Sequence, residues 1–518
     1  MEAPNWRKVF LLCLPGLIVG LVLRAWLLAV TPEAYYGPDG GSYWHTAVRL
    51  WTEGNLSMFD KRRWLYPAWL CILPLLPVRP IQAVAFFQHL AGLAMVFGGG
   101  MVASRCTRQW KIWVPLISLI LATWPQTLLL EHSLETETFL VATFMALVFI
   151  GLAPGSFSPR RLFWFLLTAA LVAAWKPHGR GIWLACLLIA IWKNGSPLHW
   201  ARRSWGAIVF ALVVILSSGS SGQGNWLLLN SVLPLVPLEG RAYPAERAAL
   251  RPLLLEARGV RQNYAWEQEN FKYRLNSPDP ENVDPAWARV ARDGKHFSRV
   301  CRAFAFEGLR SDPLTFLRFT LQKIALSLSE NGCIERLEPK KFWHDQNAEN
   351  ATRWKKTPPK ELALLYRLDA SEYQRMAELG AARKFTPITA IYRIADCWGW
   401  FQESLSPQGN TLALRTSGWL ALAGLLCTWL PGRFQRFSIL WLPAAFYAIT
   451  VFAMGDRLPR YAYLLNWLGV ILAAIALDTV LAVLARFIPQ RAEAPPDASR
   501  RSATSSPANP FSPEAAPR

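Results

Sequence analysis

The sequence predicts an all-α polytopic membrane protein, on three observations. Apolar residues make up 53% of the 518 and charged residues only 17%, with a mean hydropathy of +0.18, too apolar for a soluble protein of this length. The apolar residues gather into runs long enough to cross a bilayer, separated by short basic turns. The 26 Trp mostly mark the ends of such runs, where the indole ring suits the boundary between hydrocarbon and water. The formal net charge of +20 fits a chain whose basic residues hold cytoplasmic loops inside and attract anionic head groups, and no nucleic-acid partner is expected. The eight Cys are scattered, with Cys13, Cys71, Cys186 and Cys427 inside apolar runs and no C-x-x-C pair. They read as buried apolar side chains, with a Cys301–Cys333 disulfide left open, and neither a metal nor another cofactor is expected.

The first run, residues 9–30, follows Arg7 and Lys8 and is about twice the length of a signal-peptide core, so it reads as a retained anchor with its N-terminus in the cytoplasm. That places the next loop, residues 31–78, outside. Lys61, Arg62 and Arg63, with Pro67, Pro74 and Pro77, break its later part into short interfacial helices. Spans are expected near 81–103, 112–130, 139–152, 162–175, 182–192 and 205–216. Arg105, Arg108 and Lys111, then Arg160 and Arg161, then Lys193, Arg202 and Arg203 mark the cytoplasmic turns. The outer turns are EHSLETET at 131–138 and KPHGR at 176–180. Residues 217–311 are polar and mixed in charge, as an external insert of short helices would be. Residues 313–330 and 386–405 carry charges among apolar residues and either both span or both lie at the surface. Spans near 412–430, 437–454 and 461–485 complete the bundle, for about ten to twelve transmembrane helices in all. The expected plan is an N-terminal transmembrane module (1–220), an outer insert (221–410), C-terminal transmembrane helices (411–487) and a disordered cytoplasmic tail (488–518).

In that topology the polar residues of the outer turns converge on one side of the membrane. GPDGGSYW, residues 37–44, holds Asp39 in water just beyond the first span. A carboxylate there can take the proton of a hydroxyl, and basic side chains around it can hold a phosphate. Asp39 and Glu137 are the candidate catalytic acids, and Arg62, Arg63, Lys176 and Arg460 the candidate phosphate ligands. Tyr43, Trp44, Trp64, Tyr66, His178 and Tyr461 are the candidate lining of a substrate pocket. Each has a plainer alternative: Asp39 as a turn and helix-cap residue, Lys61–Arg63 as head-group contacts, His178 as a packed outer-turn residue.

The PDGGSY loop after the first helix, the Tyr66-Pro67 step, Glu137-Thr138-Phe139-Leu140 opening a helix, the SDPLTFL segment at 311–317 followed by Lys323, and Arg460-Tyr461 together resemble the membrane-embedded glycosyltransferases of the GT-C class. The likeness is to the polyprenyl-phosphate-sugar users related to protein O-mannosyltransferases and to the aminoarabinose transferases of lipid A. It implies a GT-C-like bundle and inverting transfer from a polyprenyl-phosphate sugar donor to a glycolipid, polysaccharide or protein acceptor. The expected location is a bacterial inner membrane with the site on its periplasmic side. Many members of the class carry two adjacent acids in this loop, whereas Gly40 and Gly41 follow Asp39, so a metal site is not supported. Two other readings stay open, a transporter or flippase of lipid-linked glycans and an enzyme like the O-antigen ligases or polymerases.

Overall fold

Proline, glycine and charge set where the apolar runs start and stop as helices. The computed structural model describes residues 5–30, 32–34, 39–54, 64–153, 155, 157–176, 178–194, 205, 206, 209, 223–277, 279, 281, 283–329, 359–367, 416–430, 433–453 and 459–487. Every regular element among them is helical. The first is α1 (Trp6–Val30), and the loop after it forms two short helices, α2 (Gly40–Glu53) and α3 (Leu65–Ile72). The last continues as a 3-10 turn at Leu73–Leu75, where Pro74 has no N–H for the α-helical ladder. Next come α4 (Pro80–Cys106), α5 (Trp110–Thr123), α6 (Pro125–Glu131), α7 (Glu137–Gly151), α8 (Pro159–Trp175) and α9 (Gly179–Asn194). The expected span 112–130 is therefore broken in two. Pro125 drives Trp124 out of the helical region to φ −67°, ψ 115°, and the chain restarts as α6 in a new direction.

Four helices among the described residues are long and apolar enough to cross a membrane, at Trp6–Ala29, Pro80–Cys106, Phe434–Ala453 and Leu464–Ala485, where about ten to twelve spans were expected. The helices α7, α8 and α9 have 15, 17 and 16 residues. At 1.5 Å per residue each covers roughly 23–26 Å, short of a hydrocarbon core of about 30 Å. The run at 386–405 and the tail at 488–518 lie outside the described residues, as does most of 205–216.

The segment expected to form the outer insert is built from α10 (Gln223–Val232), α11 (Pro244–Gly259), α12 (Tyr264–Leu275), α13 (Pro285–Arg292) and α14 (Gly294–Ser311). Asp284 and Asp293 start the last two by accepting the N–H of Ala286 at 2.8 Å and of His296 at 3.1 Å. These helices close over their own core of Tyr264, Trp287, Phe304 and Phe319, in which Cys301 is a free thiol that burial pushes well above its ordinary pKa. Cys333, its proposed partner, lies outside the described residues. The helix α15 (Pro313–Ser329) links this core to the apolar bundle, with Phe319 in the former and Ile324 against the latter. A short α16 (Pro359–Tyr366) packs on α2 and α4, and α17 (Thr416–Thr428), α18 (Phe434–Ala453) and α19 (Pro459–Phe487) follow. Residues 1–478 form one compact unit; a second comprises 479–518, of which 479–487 are described as the end of α19.

In the bundle α1, α4 and α5 pack together, α4 packs on α7, and α7, α8, α9 and α18 follow as successive neighbours around Phe144, Phe165, Cys186, Tyr447 and Trp467. Buried Asp478 of α19 accepts the backbone N–H of Arg108 at 2.7 Å and of Gln109 at 2.9 Å, and the Trp113 indole N–H at 3.1 Å. It thereby satisfies donors at the start of α5 that have no partner within that helix.

Candidate functional site

Asp39 stands directly before α2, and the glycine after it decides what lies beside it. A Cβ on Gly40 would come within 2.8 Å of Leu134 Cδ2 and 3.3 Å of the Leu134 carbonyl oxygen, so the bare backbone eases the close approach of α2 to the acidic segment at 131–138. The Asp39 carbonyl accepts the N–H of Ser42 at 3.0 Å and of Tyr43 at 3.2 Å, which closes the first turn of α2. The Asp39 side chain makes no capping hydrogen bond, unlike Asp284 and Asp293. Its own N–H is donated to Glu135 Oε1 at 3.3 Å. The first-loop acid and the second-loop acidic segment, 96 residues apart in sequence, are neighbours.

An aromatic cluster adjoins them. Tyr43 packs edge-on to Tyr66 with ring centres 5.0 Å apart, Tyr66 lies 5.3 Å from Trp69, and Phe139 stacks on Trp175 at 5.1 Å. The Tyr66 hydroxyl donates to Gln88 Oε1 at 3.1 Å, and Gln88 Nε2 donates to the carbonyls of Glu131 at 3.0 Å and Ser133 at 2.5 Å. Burial pushes the Tyr66 phenol well above its ordinary pKa, and the charges of Glu135, Tyr43 and Glu137 push it further. It stays protonated and keeps donating. Trp44 is wholly buried and gives its indole N–H to the Glu361 carbonyl at 2.8 Å, which makes it part of the support for α2. Trp64 is partly buried, and its Nε1 lies buried with no hydrogen-bond partner among the described residues.

Two acids of the 131–138 segment are matched by cations. Glu137, the first residue of α7, forms a buried ion pair with Lys176 at the end of α8, so two predicted site residues meet each other. Glu131 is held more completely. Arg24 of α1 grips it with two parallel bonds, Nε to Oε2 at 2.7 Å and Nη2 to Oε1 at 2.6 Å, and spends its remaining nitrogen on the Gly20 and Ala122 carbonyls. His89 Nδ1 lies 2.8 Å from Glu131 Oε2, and His89 Nε2 lies 3.0 Å from His132 Nδ1. With Glu131 ionised, an acceptor only, His89 donates from Nδ1 and accepts from His132 at Nε2. A Cβ on Gly92 would overlap the Glu131 carboxylate, so the glycine makes room for the group in the wall of α4.

No protein-family model, curated protein or solved structure matches this chain. The site is therefore read from its own residues. Asp39, Tyr43, Tyr66, Glu137 and Lys176 fall into one region of the fold, joined through Tyr66 and the 131–138 segment. His178, just after that region, is half-buried with its ring 6.4 Å from Tyr447. Arg62 and Arg63 lie outside the described residues; Arg460 and Tyr461 fall in the first turn of α19, their side chains outside the description. Asp312 of the SDPLTFL segment and Lys323 after it serve the insert, Asp312 by accepting the N–H and hydroxyl of Thr315 at 2.9 and 2.7 Å, Lys323 by donating to Ser231 at 3.3 Å. No three His, Cys, Asp or Glu side chains among the described residues are arranged to hold a metal ion. Sequence reasoning missed Arg24, Gln88, His89 and His132. A signal was present, since an arginine and a histidine within apolar runs are costly in hydrocarbon unless each has a buried partner.

Proposed function

We propose that the chain is an inverting glycosyltransferase with a GT-C-like bundle, moving a sugar from a polyprenyl-phosphate donor to an acceptor hydroxyl at the outer face of a membrane. The observation that carries the reading is the meeting of Asp39, whose carboxylate is not used as a cap, with the acidic segment around Glu135 and Glu137. In this reading the acceptor oxygen attacks the anomeric carbon, the bond from that carbon to the phosphate oxygen breaks, and the acceptor proton passes to Asp39. A positioned base of this kind contributes roughly 10²–10⁴ in rate. Negative charge grows on the leaving phosphate, which Arg62, Arg63 and Arg460 would stabilise. Lys176 is committed to Glu137, so its part is to set that carboxylate, and the pair together borders the acceptor. The acceptor is a glycolipid, a polysaccharide or a protein, and the setting a bacterial inner membrane with the site on the periplasmic side. The chain's basic cytoplasmic turns and apolar helices support that setting.

One observation favours a second reading, a carrier of lipid-linked glycans: the buried run Arg24, Glu131, His89, His132, since ionisable groups among membrane helices often mark a transport path. The test is Asp39→Asn in membranes supplied with labelled polyprenyl-phosphate sugars. Transfer is expected to fall by about 10²–10⁴ while the folded protein persists. Undiminished transfer removes Asp39 from the mechanism, and label that crosses the membrane with its sugar–phosphate bond intact establishes the carrier.

A further inference from the structure

At the other end of α7 four cations from four helices converge. Arg105 of α4 donates to the Phe149 carbonyl at 2.5 Å and lies 3.5 Å above the Phe149 ring. Arg161 of α8 donates to the carbonyls of Ile150 at 3.1 Å, Gly151 at 3.3 Å and Ala153 at 2.5 Å. Lys193 of α9 shares the Gly151 carbonyl at 3.0 Å, and both it and Arg161 lie over the Phe157 ring. Arg436 of α18 donates to the Arg105 carbonyl at 2.7 Å, and its Nε–H is buried with no acceptor among the described residues. All four are partly exposed.

The end of a helix explains one cation there but not four. Its dipole is worth about half a negative charge, against four positive ones that repel each other across the cluster. No carboxylate is within ion-pair distance of Arg105, Lys193 or Arg436 among the described residues. Asp478, the acid that holds the start of α5, is occupied there by the N–H groups of Arg108 and Gln109. The cluster also falls at the ends of membrane-length helices, where lipid head groups would lie. Arg105 is the penultimate residue of one membrane-length helix and Arg436 the third residue of another. Beside them Trp192 packs on Phe434 at 5.4 Å, and Trp192, Trp429 and Phe434 expose their rings, as interfacial aromatic residues do.

We propose that Arg105, Arg161, Lys193 and Arg436 form a binding site for the phosphate of an anionic lipid head group. The bias of basic residues assigns this end to the cytoplasmic leaflet, where such lipids are found. Arg105, Lys193 and Arg436, each held by a backbone carbonyl, present further N–H donors to phosphate oxygens, and the bound lipid would offset the repulsion among the four cations. The site is independent of glycosyl transfer.

The test is native mass spectrometry of the full-length chain, stripped of lipid and exposed to phosphatidylglycerol, phosphatidylcholine or inorganic phosphate. One phosphatidylglycerol per chain is expected to be retained about tenfold more strongly than phosphatidylcholine, with the preference reduced in Lys193→Gln and kept in Arg436→Lys. Equal retention of the two lipids by the unaltered chain overturns the proposal without any variant, and so does an undiminished preference in Lys193→Gln. Displacement of the lipid by millimolar-range inorganic phosphate would make this a free-anion site and overturn the lipid assignment.

Discussion

The helix α7 begins and ends in opposite electrostatic arrangements. At its start carboxylates meet cations, Glu137 with Lys176 and, just before it in the chain, Glu131 with Arg24, the same carboxylate also accepting from His89. At its end the cations rest on carbonyls and aromatic rings, with no carboxylate among the described partners of Arg105, Lys193 and Arg436. The helix dipole favours both, acid at the N-terminus and base at the C-terminus, but the ion pairs described between carboxylate and cation are at the first end. A paired end is a rigid frame able to hold Asp39 and Glu135 in a defined relation. A like-charged end is the place where we propose that an anion binds.

That contrast predicts different costs for single substitutions. The largest belongs to Glu131→Gln, which leaves Arg24 buried without its counter-charge and is expected to cost about 3–5 kcal/mol in unfolding of the purified protein in detergent. The double variant Arg24→Met, Glu131→Leu is expected to lose far less than the sum of the two single changes. Additive losses would mean the pair is not the unit it looks to be. Asp478→Ala at the other end deletes an acceptor shared by three N–H groups, for an expected loss of about 2–3 kcal/mol by the same measurement. Arg105→Met should cost about 1 kcal/mol or less, because the lost carbonyl bond is offset by reduced repulsion from Arg161 and Arg436. A loss there as large as that of Glu131→Gln would erase the distinction between the two ends.

The smallest effect is a control remote from both ends. Thr315, through its N–H and its hydroxyl, with Arg261 beside it, holds the Asp312 carboxyl below the usual carboxylate range. A group depressed on folding stabilises at pH values above its unfolded pKa and loses that contribution as the pH falls through the folded one. Asp312→Ala should therefore lower the unfolding temperature slightly at neutral pH and leave it unchanged in strong acid. A difference that persists in acid would show that Asp312 acts through packing.

Much of this organisation was legible in the residues. Hydropathy alone marked the helices α1, α4, α18 and α19, because a long apolar run has no other way to satisfy its backbone in lipid. Composition marked the helical insert, and the PDGGSY and EHSLETET turns were visible as acids beside breaks in apolar runs. The break at Trp124–Pro125 was missed although Pro125 was in view, since a proline in an apolar run can kink a helix, end it or be absorbed. That break is what turns Glu131 and His132 inward to Arg24 and His89.

The sequence by itself determined that this chain is helical, that it suits a membrane, and where its acids and bases fall along the chain. These follow from local composition and period, which a linear string records directly. Only the tertiary structure decided which acid meets which base. Asp39 lies beside Glu135, Glu137 takes Lys176, Arg24 takes Glu131, and four cations crowd the last carbonyls of α7. Such pairings join residues tens to hundreds of positions apart, and they are set by helix packing and by glycines that let backbones close on one another, which no local pattern encodes.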